Sequence, residues 1–296
     1  MIGQTVGHYR VLEFLGHGES GAVYRAEDLI RHRLVALKIL PAPLFRDPTL
    51  AQRLESNLNT AAALDHPAIP RIYDVGNDEQ FRYVAMQLIE GTTLEARLRK
   101  GPLPPEEAVS ITWEVAAALD TAHQARLIHG DLKPADIVLT PGGVRVHGFG
   151  STHQPAQEQG VGVAHDLWRL GGLIYEMLTG RQPFGRGDSP NAIRSADSAD
   201  LVPPGALRRG IPQSLDRAIA MALSIDASVR PRTALEFQRA LQEAGTDLNA
   251  LVLARAPLTR RRRRHFGLLV PTVTSIVFLV IVWFLWQAMQ GELQGN

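Results

Sequence analysis

The chain has 296 residues, of which 45% are hydrophobic and 21% charged, and this balance excludes a disordered or collagen-like protein. It contains no cysteine, which excludes disulfides and thiolate metal sites. The net charge of +1 hides an uneven distribution, because five of the 31 basic residues are the arginines at 260–264, and residues 1–259 carry 26 basic against 29 acidic residues. A slightly acidic body without a long basic stripe argues against nucleic-acid binding.

The apolar patterns of the first 245 residues change character about one third of the way along. The earlier part is predicted to contain strands at 9–15, 22–27, 34–40 and 81–88 and one helix at 49–64. The later part is predicted to contain helices at 105–124, 166–179, 214–223 and 233–242. A β-rich part followed by a helical part predicts an α+β fold of two lobes with a cleft between them.

The C-terminal part contains an uncharged stretch of 21 residues at 266–286. At about 1.5 Å per residue, a helix of this length crosses the roughly 30 Å core of a bilayer. The five arginines flank its near end, and arginine-rich flanks stay cytoplasmic, so we expect a single-pass protein of the inner (plasma) membrane with its body in the cytoplasm. The predicted order is a basic juxtamembrane linker at 245–265, a transmembrane helix at 266–287 and a short extracytoplasmic tail at 288–296.

A glycine-rich turn with the pattern G-x-G-x-x-G-x-V lies between the first two predicted strands, at Gly16, Gly18 and Gly21. Glycines let the backbone approach a phosphate without a Cβ clash. The spacing alone also fits a plain hairpin or a dinucleotide-binding turn. However, a strand rather than a helix is predicted after Gly21, and no βαβ pattern is present, which disfavours a dinucleotide oxidoreductase. Lys38 lies in the predicted strand at 34–40, which follows the turn and contains the motif VALK at 35–38.

Two later stretches, IHGDLKP at 128–134 and VRVHGFG at 144–150, complete an ordered set of motifs. Together with the glycine-rich turn and VALK, they resemble the loops of eukaryotic-type (Hanks-type) Ser/Thr protein kinases, which read H-R-D-L-K-P-E-N and D-F-G. The stretches AHDLWRLGG at 164–172 and DASVRP at 226–231 resemble two further signatures of that family. The resemblance covers residues 8–244 and is strongest to the bacterial membrane-anchored branch. It implies a two-lobed protein-kinase fold, followed here by one C-terminal transmembrane helix.

The resemblance assigns roles to individual residues. Asp131 stands at the position of the base that accepts the substrate hydroxyl proton, and Lys133 at that of the lysine that steadies the γ-phosphate. Gly16, Gly18, Gly21 and Lys38 would contact the phosphates of ATP. The adenine would lie among Val23, Ala36, Met86, Gln87, Ile89 and Val138, with Met86 as the gatekeeper.

Several positions depart from the family pattern, all of them in metal handling or activation. Gly148 replaces the aspartate that is the main magnesium ligand, and Asp136 replaces the asparagine that binds the second magnesium, although a carboxylate there could still bind metal. Asn57 falls at the helix position of the glutamate that pairs with the lysine. Gly130 replaces an arginine that contacts a phosphorylated activation segment, and only fifteen residues, 151–165, separate Gly150 from Asp166.

These features lead to two hypotheses. The first is a membrane-tethered pseudokinase that binds ATP and acts through protein partners. In this hypothesis the replacement of the metal-binding aspartate by Gly148 argues against a resident Mg²⁺. The second is an atypical active Ser/Thr kinase, in which Asp136 carries the metal and Asp131 acts as the base. Both predict an intact nucleotide cleft, and they differ in whether the γ-phosphate is transferred.

Overall fold

The computed structural model describes residues 1–18, 21–78, 80–151, 159–184, 201–226 and 228–255. Its first part is one antiparallel sheet in the order β1-β2-β3-β4-β6-β5. The central strand β4 is buried at every position from Val35 to Leu40, so both of its faces are covered. The strands are β1 Thr5–Val6, β2 Tyr9–Gly18, β3 Gly21–Asp28, β4 Arg33–Leu40, β5 Ile72–Asn77 and β6 Arg82–Gln87.

One helix, α1 Pro48–Ala62, belongs to this first lobe. Asp47 fixes its start, because its carboxylate accepts a hydrogen bond of 2.8 Å from the backbone N–H of Thr49. Leu54 and Leu58 are buried on the inner side of the helix and pack with residues of β4 and β6. The helix predicted at 49–64 is therefore confirmed, and its apolar stripe holds it against the sheet.

Helices form the second lobe and surround one apolar core. Fully buried residues of four helices meet in this core, including Leu119, Ile174, Ile219 and Phe237. The helices are α2 Leu94–Leu98, α3 Pro105–Gln124, α4 Gln159–Thr179, α5 Pro204–Leu207, α6 Gln213–Ala222 and α7 Ala234–Arg255. A small sheet in the order β7-β8-β9 is built from β7 Thr92–Thr93, β8 Ile137–Thr140 and β9 Gly143–Val146.

The two-lobed α+β fold predicted from the sequence is confirmed, but two helices are longer than predicted. Helix α4 begins at Gln159, seven residues before the predicted start. Its first turns contain glycines, which lower helix propensity, yet Gly162 packs so closely that a Cβ there would lie 2.8 Å from the Ile128 side chain. Helix α7 continues to Arg255, well past residue 242, and Leu248 in that extension is buried in the core.

None of the helices in the described part of the chain is long and apolar enough to cross a membrane. The span predicted at 266–287 and the tail at 288–296 lie outside the described residues, as do residues 256–265 of the predicted linker. Residues 245–255, which were predicted to begin that linker, belong to helix α7.

Replacing Phe237 by alanine should lower the free energy of unfolding by about 3–5 kcal/mol, because the side chain is fully buried and a cavity would remain. Leu235 lies on the same helix and is 43% exposed, so Leu235→Ala is the matched control and should cost less than about 1 kcal/mol. Urea unfolding of the full-length chain in mild detergent measures both. Equal losses for the two variants would show that α7 is not seated in the core as described.

Candidate active site

Three of the residues predicted to surround the adenine, Val23, Ala36 and Met86, lie on one face of the first sheet together with Lys38, whereas Gln87 points to the other face. In the ladders, Val23 is opposite Lys38 and Ala36 is opposite Met86. Directly opposed residues point to the same face, and so do positions two apart on one strand, so these four side chains line one surface. Val138 on β8 is 8% exposed and packs beside Gly91, where a Cβ would lie 2.7 Å from it.

The segment after β6 connects the two lobes and carries a backbone donor. The N–H of Gln87 donates to the carbonyl of Arg71 at 2.8 Å and is used within the protein. Two residues later, the N–H of Ile89 takes part in no hydrogen bond among the described residues. A backbone N–H at the edge of an apolar pocket is the group that can recognise the edge of a purine.

The glycine-rich turn is formed by the facing ends of β2 and β3. Gly18 is opposite Gly21, and residues 19–20 between them lie outside the described part of the chain. Gly21 has φ +130°, and a Cβ there would collide with the carbonyl oxygen of Ile39, so only glycine fits. Among the described residues, apart from its two chain neighbours, no atom lies within 4 Å of where a Cβ on Gly16 would be.

Lys38 is buried in the cleft, with 9% of its surface exposed. Its Nζ donates a hydrogen bond of 3.0 Å to the hydroxyl of Ser151. Burial lowers the pKa of the Lys38 ammonium to about 8; Asp136 opposes this effect, and Lys133 adds to it. His147 is nearby, and its pKa is lowered to about 4, mainly by burial and further by Lys38.

Helix α1 approaches the cleft through its backbone near Asn57. A Cβ on Gly150, which has φ +75°, would lie 2.9 Å from the carbonyl oxygen of Asn57. Glu55, the nearest acidic residue on this helix, forms an ion pair with Arg82 on β6. The Glu55 carboxylate is therefore engaged by Arg82.

The carboxylate of Asp131 is engaged at both oxygens. Lys133 Nζ donates to Oδ2 at 2.8 Å, and Arg169 Nη2 lies 3.7 Å from Oδ1. Arg169 projects from α4 and was missed by the sequence reasoning. The signal was available, because position 169 of the stretch AHDLWRLGG carries an arginine where the family pattern S-D-[IV]-[YW]-S-L-G has a serine.

Asp166 on α4 anchors the loop that carries Asp131. Its buried carboxylate accepts hydrogen bonds from His123 Nε2 at 2.8 Å, from the N–H of His129 at 2.9 Å and from the N–H of Gly130 at 2.8 Å. Burial by itself raises the pKa of the Asp166 carboxyl, but these hydrogen bonds and the two imidazoles outweigh it and hold the pKa below its ordinary value. The loop is therefore fixed by an ionised side chain beneath it.

Gly148 lies where the family pattern has a metal-binding aspartate, and neighbouring side chains leave little space there. Gly148 has φ +101°, and a Cβ there would lie 3.0 Å from His129 Nε2 and 3.9 Å from Asp136 Cγ. His129 is held in place, because its Nε2–H donates to the carbonyl of His147 at 2.8 Å.

Asp136 is the remaining candidate metal ligand. It is partly buried, its Oδ2 accepts the N–H of Lys133 at 3.2 Å, and burial raises the pKa of its carboxyl against the opposing effects of His129 and Lys133. Among the described residues, no three His, Cys, Asp or Glu side chains are placed to hold a metal ion. Mg²⁺ is usually held by one or two carboxylates together with substrate phosphates and waters, and at this place in the cleft Asp136 is the carboxylate next to Gly148.

The burial of Lys38 predicts a pH-dependent stability. The folded protein releases the Lys38 proton near pH 8 and the unfolded chain near 10.5, so the unfolded state binds more protons between these values, and stability rises with pH there. Wild type should therefore gain up to about 3 kcal/mol of unfolding free energy relative to Lys38→Met across that window. Urea unfolding between pH 7.5 and 10.5 measures the difference. Lys100→Met, at an exposed lysine, should run parallel to wild type, and a parallel profile for Lys38→Met would contradict the prediction.

Comparison with known proteins agrees with this geometry. The family model described as the protein kinase domain matches residues 9–162. Serine/threonine-protein kinase PknB of Mycobacterium tuberculosis is 34% identical over 261 residues, and the alignment covers 78% of this chain and 42% of PknB. PrkC of Bacillus subtilis is 32% identical over 272 residues, covering 82% of this chain and 42% of PrkC. The chain thus spans less than half the length of these curated relatives.

Among solved structures, the M. tuberculosis PknI kinase domain superposes with a TM-score of 0.71 at 27% identity, covering 83% of this chain and 99% of the PknI chain. A second crystal structure of the PknI kinase domain gives a TM-score of 0.68 at 28% identity. The chain therefore belongs to the protein kinase family and has bacterial Hanks-type Ser/Thr kinases among its relatives.

Proposed function

We propose that this chain is a membrane-tethered pseudokinase, a kinase-fold signalling protein that binds ATP and acts through protein partners without transferring phosphate. The observation that carries the proposal is Gly148. In phosphate transfer, a metal ion neutralises the charge on the β- and γ-phosphates, and the side chain that would hold it is absent.

A second observation concerns the base. A general base needs a carboxylate oxygen within hydrogen-bond reach of the substrate hydroxyl. In this cleft both oxygens of Asp131 already face protein cations, Lys133 on one side and Arg169 on the other. Removing one preorganised electrostatic group from an active site typically lowers the rate by about 10²- to 10³-fold. The loss of the metal ligand and the engagement of the base act on the same step and together favour a protein without transfer activity.

The nucleotide-binding part of the proposal rests on the opposite lobe. Val23, Ala36 and Met86 line an apolar surface, and Ile89 follows two residues after the end of the strand that carries Met86. Lys38 supplies a positive charge at the inner end of the same surface, where the phosphates of ATP would lie. We therefore assign ATP to this cleft as a ligand and infer that protein partners read the bound or empty state.

The membrane part of the proposal rests on the uncharged stretch at 266–286 and the five arginines before it. The kinase-fold body would lie on the cytoplasmic side of the inner membrane, with the short tail at 288–296 on the other side. Tethering restricts the body to the membrane surface and so to partners that are found there.

Nucleotide binding is tested by thermal unfolding of the full-length chain in mild detergent. ATP at millimolar concentration should raise the midpoint equally with Mg²⁺ and with EDTA, because no metal ligand is provided at residue 148, whereas Lys38→Met should reduce the rise. No rise in wild type would contradict nucleotide binding. A separate incubation with radiolabelled ATP should give no metal-dependent labelling of the chain or of generic substrates. Labelling that disappears in Asp131→Asn would instead establish the atypical active kinase.

Membrane anchoring is tested by cell fractionation. The chain should sediment with membranes, resist extraction by alkaline carbonate and be released by detergent. Replacing Val277 and Val280 together by arginine should move the chain to the soluble fraction, since each charge at the centre of a span costs about 2.5–3.5 kcal/mol. Replacing both by leucine is the matched control and should change nothing. Release of the wild-type chain by carbonate would contradict the anchor.

A further inference from the structure

Lys38 and Ser151 form a contact that links the two lobes across 113 positions of sequence. The ammonium of Lys38 on β4 donates to the Ser151 hydroxyl at 3.0 Å, and the lysine is 9% exposed. A buried ammonium needs acceptors at fixed positions, because the cost of removing it from water is recovered only through hydrogen bonds. Ser151 supplies such an acceptor on the side of the cleft that faces the second lobe.

The backbone around Ser151 is held from two directions. Its N–H donates to the carbonyl of Gly148 at 3.1 Å, which closes a tight turn over Gly148, Phe149 and Gly150. Helix α1 presses on this turn, since a Cβ on Gly150 would lie 2.9 Å from the Asn57 carbonyl oxygen and 3.1 Å from Ala61 Cβ. Phe149 is buried and contacts the ring of His129 edge-on at 4.9 Å. The Ser151 hydroxyl is therefore presented to Lys38 from a fixed support.

A hydroxyl orients the ammonium without adding negative charge. The family pattern places a glutamate of the helix beside this lysine, and a carboxylate would offset most of the lysine's charge within a few ångströms. A serine hydroxyl fixes the direction of the lysine and itself adds no negative charge beside it. This difference matters in a cleft where residue 148 brings no side chain to hold a cation.

We propose that Ser151 is the positioning residue for Lys38 and directs its ammonium toward the phosphates of a nucleotide bound without metal. The role rests on the proposed nucleotide binding. It replaces the contribution of the helix glutamate by that of a residue on the turn after Gly150. Ser151 touches the lysine and not the nucleotide, so its effect on binding is confined to ligands that carry phosphates.

The test compares ATP and adenosine as ligands of the full-length chain in mild detergent and EDTA. Ser151→Ala should weaken ATP binding by about tenfold or more, as expected for a lost hydrogen bond to a charged group, and leave adenosine binding within about twofold. Ser151→Thr keeps the hydroxyl and should bind ATP as wild type does. In the Lys38→Met background, Ser151→Ala should cause no further loss of ATP affinity, because the two residues act through one contact.

Three outcomes would overturn the positioning role. The first is an equal loss of ATP and adenosine affinity in Ser151→Ala, which would indicate a general structural defect. The second is an additive loss in the double variant, which would show that the two side chains act independently. The third is a wild-type chain that binds adenosine but not ATP. If the wild-type chain binds neither ligand, the proposed nucleotide binding itself fails, and the positioning role fails with it. In that case, Ser151→Ala could still lower the melting temperature of the wild-type chain but not that of the Lys38→Met variant. This result would show that the contact between the two side chains exists, without a role in binding.

Discussion

The buried carboxylate of Asp166 is the interaction on which the geometry of the cleft depends. It lies within α4 and accepts hydrogen bonds from His123 of α3 and from two consecutive backbone N–H groups of the loop before Asp131. Leaving such N–H groups buried and unsatisfied costs about 1–3 kcal/mol each, so the loop can adopt this conformation only above an ionised side chain. His129 is positioned by the same contact, and it in turn holds the carbonyl of His147 and covers Gly148. The surroundings of Gly148 therefore depend on Asp166, which is held in the helical core of the second lobe.

The charges in the cleft follow from that arrangement. Lys38, Lys133 and Arg169 bring three cations toward a region in which Asp131 and Asp136 are the facing carboxylates. A metal ion would normally add positive charge at the phosphate end of such a cleft. Under the proposed binding of nucleotide without metal, the protein's own cations would supply that charge, and the partial burial of the site would strengthen their effect on an anion.

Sequence reasoning located most of the fold and the cleft, because the relevant signals are local. Strand and helix patterns, the glycine spacing and the motif around Asp131 each lie within a dozen residues, and the register of β3, β4 and β6 brings Val23, Lys38 and Met86 to one face as expected. The contact between Lys38 and Ser151 could not be predicted, since it joins segments 113 residues apart and neither side chain carries a local signal for the other.

Two further differences have a physical explanation. The early start of α4 was hidden by Gly160 and Gly162, because glycine has a low helix propensity. At Gly162 this is offset by close packing against Ile128. The small sheet of β8 and β9 was overlooked because its strands have four residues each, too few for alternation to be read against a background of apolar residues.

The engagement of Asp131 by Arg169 has an evolutionary consequence. Restoring an aspartate at residue 148 alone would bring back a ligand beside a carboxylate still paired with a guanidinium, and replacing Arg169 alone would release a carboxylate beside an unfilled metal position. If the chain is a pseudokinase as proposed, neither single change would restore both groups that the transfer reaction needs, so natural selection for transfer activity would have no intermediate to favour. Loss of catalysis in such a lineage behaves as a ratchet, while the fold, the cleft and the surfaces of the chain stay free to be refined for recognition.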